Sequence, residues 1–164
     1  MNDANRICQA AEAGDLEEVE ALLARDPTLV HARSRDGWMP LHLAAYGGHT
    51  RVVEALLAGG AAVHAPARDG LASTPLLRAV CGQHVETATL LIAHGAAVNV
   101  DNASGSTPLH RAAVLGDVAM VRLLLAHGAR TDARNSGGQT PLTHALYNRH
   151  EDVAAVLRQS GDGG

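Results

Sequence analysis

Two rhythms of apolar and polar positions run along this chain. The short one is helical: Val118, Val121, Leu124 and Leu125 fall on one face of a 3.6-residue period. The long one repeats about every 33 residues. Pro-Leu recurs at Pro40-Leu41, Pro75-Leu76, Pro108-Leu109 and Pro141-Leu142, at spacings of 35, 33 and 33. Nine residues after each proline stand His49, His84, Asp117 and His150, and twenty after stand Gly60, Gly95, Gly128 and Gly161. Between these columns lie the pairs Leu56-Leu57, Leu91-Ile92, Leu124-Leu125 and Leu157-Arg158. A degenerate earlier copy, Ile7 to Leu23, fits the same register with Arg6 in the proline column.

Each copy reads as two helices. Thr74, Thr107 and Thr140 precede their prolines, so a hydroxyl caps a free N–H while proline takes a first-turn position that needs no donor. The first helix is expected over Pro108 to Leu115, with a turn at Gly116-Asp117. The second ends at Gly128, a residue suited to a left-handed cap. Such a pair cannot bury its apolar face alone, so copies must stack and the end copies must differ. They do: residues 1–33 hold seven acids against three Arg, whereas the rest of the chain is balanced. The expected fold is an all-α repeat solenoid of about five stacked helix-turn-helix units, with terminal units as caps. Its boundaries are 4–35, 36–68, 69–101, 102–134 and 135–160, followed by a flexible tail at 161–164.

Composition narrows the chemistry. The 164 residues carry a formal net charge of −4 and are 46% hydrophobic, normal for a folded chain. No apolar run approaches the ~18 residues of a membrane span, and the N-terminus does not read as a signal peptide. All 13 cationic side chains are Arg, a usage like that of a GC-rich bacterial genome. Phe is absent, and the aromatics are Trp38, Tyr46 and Tyr147. The core must then be Leu, Val, Ile and Ala, which suits helix axes ~8–10 Å apart.

Pro40-Leu41-His42-Leu43-Ala44-Ala45 with Gly48-His49, Thr107-Pro108-Leu109-His110-Arg111-Ala112-Ala113, and the block Leu90 to Asn99 resemble the ankyrin repeat. The likeness covers roughly residues 4–160. It departs where Met39 replaces Thr, where Leu77 and Thr143 replace His, and where Asp69-Gly70-Leu71-Ala72-Ser73 carries two extra residues. The resemblance implies a curved solenoid with projecting β-turn fingers that binds protein on its concave side and performs no catalysis.

Ten histidines invite a metal or acid–base reading. Repeat columns absorb nine of them: His42 and His110; His49, His84 and His150; His94 and His127; and the equivalent turns of His31 and His64. These are expected to hold turns. No His-Glu-x-x-His, phosphate-binding loop or Gly-x-Ser-x-Gly occurs, and without Lys there is no Schiff base. No cofactor or metal is expected. Cys8 and Cys81, two units apart, should not pair, which suggests a cytoplasmic protein. Negative charge and few aromatics argue against nucleic acid.

In the related family three template columns face the concave side. Two residues before each proline lie Trp38, Ser73, Ser106 and Gln139; three after lie Leu43, Arg78, Arg111 and His144. Six after lie Tyr46, Cys81, Val114 and Tyr147, with Leu115 beside Val114. All three aromatics therefore fall in these columns, either as local packing or as binding anchors. Arg78 and Arg111 repel unless an acid lies between them, either an intramolecular one such as Asp69 or one from a partner. Finger-tip Arg35, Arg68 and Arg134 extend the patch, and Leu71 offers an apolar contact. The candidate partner-binding residues are Arg35, Trp38, Leu43, Tyr46, Arg68, Leu71, Arg78, Arg111, Leu115, His144 and Tyr147. The expected function is a protein-interaction module, monomeric when free, whose partner has an acidic segment. The alternatives are an enzyme or metal-dependent protein using the histidines, and a dedicated stabilising partner of one enzyme.

Overall fold

Each Thr-Pro step starts a helix. In the computed structural model, which describes residues 2–161, the hydroxyls of Thr74, Thr107 and Thr140 accept from the N–H of Leu77, His110 and Thr143. Met39 occupies the same position with no side chain able to do so. Among the described residues there are ten α-helices, one 3-10 turn at Pro27–His31 and no strand. The chain divides into two compact units between Ala96 and Ala97. Residues 162–164 of the expected tail lie outside the described residues, and Gly161 belongs to the last helix.

The first unit contains α1 (Asp3–Ala13), α2 (Leu16–Arg25), α3 (Pro40–Gly47), α4 (Thr50–Ala58), α5 (Pro75–Cys81) and α6 (Val85–Ala93). Helices α1, α3 and α5 pack in one row and α2, α4 and α6 in a second. Ile7, Leu22, Leu41, Leu56, Leu76 and Leu91 are buried between them. Burying each such side chain contributes about 1.5–3 kcal/mol, which a lone pair of short helices cannot collect. The second unit repeats the scheme with α7 (Pro108–Leu115), α8 (Val118–Ala126), α9 (Pro141–Tyr147) and α10 (Glu151–Gly161) around Leu109, Met120, Leu124 and Leu157.

Histidines lock neighbouring pairs. His42 Nε2 donates to the Ser73 carbonyl at 3.0 Å, and His110 Nε2 donates to that of Gln139 at 3.0 Å. His49 and His150 reach in the other direction, to the carbonyls of Glu12 (2.9 Å) and Val114 (3.1 Å). The turn that receives His150 must be glycine, because Gly116 sits at φ 72° and an added Cβ would lie 2.6 Å from the ring. His94 bonds only within its own helix, to Leu90. The expectation that column position makes every aligned histidine a turn-holder fails for His31, His64, His84 and His127. None of these rings makes a hydrogen bond with described residues; the first two and the last are exposed and His84 is half-buried.

The fingers are turns. Gly37, Gly105 and Gly138 donate back to Ser34, Asn102 and Asn135. Fingers bond to each other inside each unit: Arg68 N–H to Gly37 O, and Ser136 N–H to Ser104 O, both at 3.0 Å. The longer finger lacks that backbone turn bond but keeps the side-chain scheme of Asn102 and Asn135, whose Oδ1 atoms accept from the N–H groups two and four residues on. The Asp69 carboxylate accepts from the N–H groups of Leu71 and Ser73 and from the Ser73 hydroxyl. Burial raises the pKa of this carboxyl, but those hydrogen bonds outweigh burial and hold it below the usual carboxylate range.

Three outcomes follow from this packing. Gly128 has φ 82° and no atom within 4 Å of an added Cβ, so Gly128→Val adds backbone strain alone. Urea unfolding should show a loss of roughly 1–2 kcal/mol, and an unchanged midpoint would refute the cap. Thr107→Val removes the hydroxyl that both caps α7 and bonds His110 Nδ1 at 2.9 Å. It should cost about 1–3 kcal/mol by the same measurement.

His42, fully buried, is pushed down to about 4, foremost by desolvation; Arg33 and Arg78 act the same way, while the Ser73 and Ala65 carbonyls oppose. The unfolded ring protonates near pH 6.5, so the folded state should hold its full stability above that pH and lose it as pH falls toward 4. The loss is on the order of 2–3 kcal/mol. His110, lowered chiefly by burial, adds in the same direction. An NMR titration should find the His42 ring unprotonated at pH 5; a midpoint near 6.5 would contradict this.

Candidate docking surface

Turn chemistry and helix faces bring five of the candidate residues to one place in the first unit. The finger carries Arg35 and Trp38, α3 presents Leu43 and Tyr46, and α5 presents Arg78. Together they border a half-open hollow of about 670 Å³. Asn5, Cys8, Gln9 and Glu12 of α1 form the facing wall, and Ser34 and Asp36 complete the finger side. This size is in the range that holds a drug-sized or short peptide ligand. The α1 residues were absent from the sequence-derived candidates. With Arg6 in the proline column, the offsets of three and six give Gln9 and Glu12, so the signal was present in the degenerate copy.

Arg78 is the centre of this surface. Its guanidinium carbon lies over the Trp38 ring, 4.2 Å from the centroid, and over the Tyr46 ring at 4.1 Å, so the cation contacts two aromatic faces. Each contact contributes about 0.5–2 kcal/mol, more as water is excluded. The Trp38 ring also leans on His42, with centroids 5.8 Å apart. Two aromatics thus serve at once as packing and as surface: Tyr46 remains 49% exposed while covering the cation. Asp69 does not neutralise Arg78, since its carboxylate is engaged in its own finger. No carboxylate among the described residues lies within 4.0 Å of the Arg78 nitrogens. Its Nε is buried without a hydrogen-bond partner.

Cys8 borders the same hollow. Burial, and then the nearby Glu12 carboxylate, push its thiol up to about 11, which keeps it a poor nucleophile. Cys8 and Cys81 are both free thiols. Arg68 and Leu71 are exposed on the longer finger and do not line the hollow; Leu71 stands 51% exposed because the Asp69 turn projects it.

The remaining candidates belong to the second unit. Arg111 is exposed on α7, and Leu115 is half-buried at its end. His144 on α9 is already engaged. The Asn135 carbonyl oxygen accepts from Gly137 and Gln139, leaving its amide to donate to His144 Nε2 at 3.1 Å. The His110 ring meets it edge-on at 5.7 Å. Tyr147 is 82% exposed, and Leu146 before it is partly exposed. Among the described residues no group of three or more His, Cys, Asp or Glu side chains is placed to hold a metal ion, and no helix is long and apolar enough to cross a membrane.

The family model described as ankyrin repeats (3 copies) matches residues 7–102 and 96–163. Among curated proteins, the chain is similar to ankyrin repeat domain-containing protein 49 of Bos taurus, 50% identical over 56 residues. The match covers 34% of this chain and 24% of that protein. It is also similar to the serine/threonine-protein kinase VIK of Arabidopsis thaliana, 47% identical over 66 residues, or 40% of this chain and 15% of the kinase. The human NAD-capped RNA hydrolase NUDT12 is 40% identical over 53 residues, covering 32% and 11% of the two chains. The chain spans a quarter or less of the length of each of these relatives.

Proposed function

The chain belongs to the ankyrin-repeat family, built of repeats that generally bind other proteins, and from that premise we propose that it is a non-catalytic docking module. Its partner is a protein that enters the hollow of the first unit. The observation that carries this reading is the convergence of Arg35, Trp38, Leu43, Tyr46 and Arg78 on one half-open space. Trp, Tyr and Arg dominate the energetics of protein interfaces because they combine large area with few lost rotamers and directed polar groups. A core complete without Phe needs no aromatics for filling, so their placement at an edge favours contact with a visitor. Tyr147 on α9 and Arg111 on α7 are exposed on the other unit.

The module works as an adaptor or regulator in the cytoplasm and is monomeric when free. Two unpaired thiols favour a reducing compartment. A net charge of −4 and scarce aromatics disfavour nucleic acid as the partner. The kinase and hydrolase relatives carry their activities in chains that share only a short stretch with this one.

Changing Trp38, Arg78 and Arg111 together to Ala should abolish partner capture from a native lysate. The helical circular-dichroism spectrum should be retained. Undiminished capture by the folded triple variant would refute the site.

A further inference from the structure

We propose that the first-unit hollow selects a mixed-charge peptide segment: one Asp or Glu side chain enters the Nη end of Arg78, and an adjacent cationic side chain meets Glu12. This rests on the docking reading above and specifies its partner. The Arg78 guanidinium carbon lies over two rings, Trp38 at 4.2 Å and Tyr46 at 4.1 Å. Its Nε is sealed from solvent. The donors left are the Nη groups, which have no acceptor among the described residues and belong to a side chain bordering the hollow. Two coplanar N–H groups spaced by one carbon match the two oxygens of a carboxylate. Contact with two rings restricts the side chain before the ligand arrives, so little ordering is required at binding.

Charge around the rim decides which acidic ligand fits. Arg35 and Arg78 are balanced by Glu12 and Asp36 in the same lining. A run of acids would place its second and third carboxylates against Glu12 and Asp36, and like charges there oppose binding. A multiply charged phosphate meets the same opposition. A carboxylate flanked by Lys or Arg pairs with both signs.

The test uses the whole protein and three synthetic peptides of equal length: an alternating glutamate–lysine decamer, deca-glutamate and deca-lysine. Trp38 is the only tryptophan, so its emission reports on this hollow directly. The alternating peptide should shift that emission saturably, with deca-glutamate and deca-lysine at least tenfold weaker. Arg78→Lys keeps the charge but loses the planar fork, and should weaken the alternating peptide tenfold or more. The double change Glu12→Gln and Asp36→Asn, at exposed side chains, should make deca-glutamate the tighter ligand. Three outcomes overturn the proposal: deca-glutamate preferred by the unmodified protein, indifference to Arg78→Lys, or a flat response to all three peptides. If lysate capture is still lost in the Trp38/Arg78/Arg111 variant, the docking reading survives and only the charge pattern falls.

Discussion

A pair of helices seven to eleven residues long has too little apolar face to stand alone. Everything else in this molecule answers that constraint. Within each compact unit, leucines at the same repeat position, Leu41 and Leu76 in one and Leu109 in the other, are buried against an adjacent helix pair. The contact is nondirectional, so burial by itself does not decide how one pair is registered on the next. Directed bonds supply that. His42 and His110 reach forward to a backbone carbonyl, and His49 and His150 reach back to one. Glycine at the receiving turn lets the ring approach, as at Gly116.

The candidate surface is a by-product of the same register. Arg78, on the third inner helix, reaches the finger and helix of the preceding pair because the pairs are closely packed. A cation there would lose hydration on entering the gap. Two aromatic faces compensate electrostatically without taking up its hydrogen-bond donors, whereas an acid would have occupied them. The arrangement stabilises the charge and leaves its recognition edge open.

Single substitutions in the repeat show which parts of the pattern are independent. His110 has both ring nitrogens bonded, one through the Thr107 hydroxyl. His42 keeps the forward bond, but Met39 provides no hydroxyl and its Nδ1 has no partner. The fold tolerates this because burial and the Ser73 carbonyl already fix the neutral ring. In the longer finger the backbone turn bond is gone, but Asp69 keeps the side-chain bonds that Asn102 and Asn135 make to the residues two and four on, and α5 still starts at its Thr74 cap.

Helix starts at Thr-Pro, the turn at Gly116-Asp117, the left-handed Gly128, the aliphatic core and the columns holding Trp38, Tyr46 and Arg78 were all legible from spacing, because each depends on local propensity repeated in register. Gln9 and Glu12 of the α1 wall were legible too, once Arg6 is counted as a proline position, whereas Asn5 and Cys8 fall outside the columns. Column membership did not reveal that His31, His64, His84 and His127 make no bonds with described residues, that Asn135 occupies His144, or that Arg78 lies against two rings rather than beside Asp69. Those outcomes depend on which side chain arrives within bonding distance, from a neighbouring pair at Arg78 and from the finger of the same copy at His144. Backbone preference and periodic hydrophobicity, both written along the chain, were enough to set the elements and the faces they bury. Packing alone settled which polar groups are used up inside the protein and which remain for a partner, because hydrogen bonds and cation–aromatic contacts act over a few ångströms between residues some thirty positions apart.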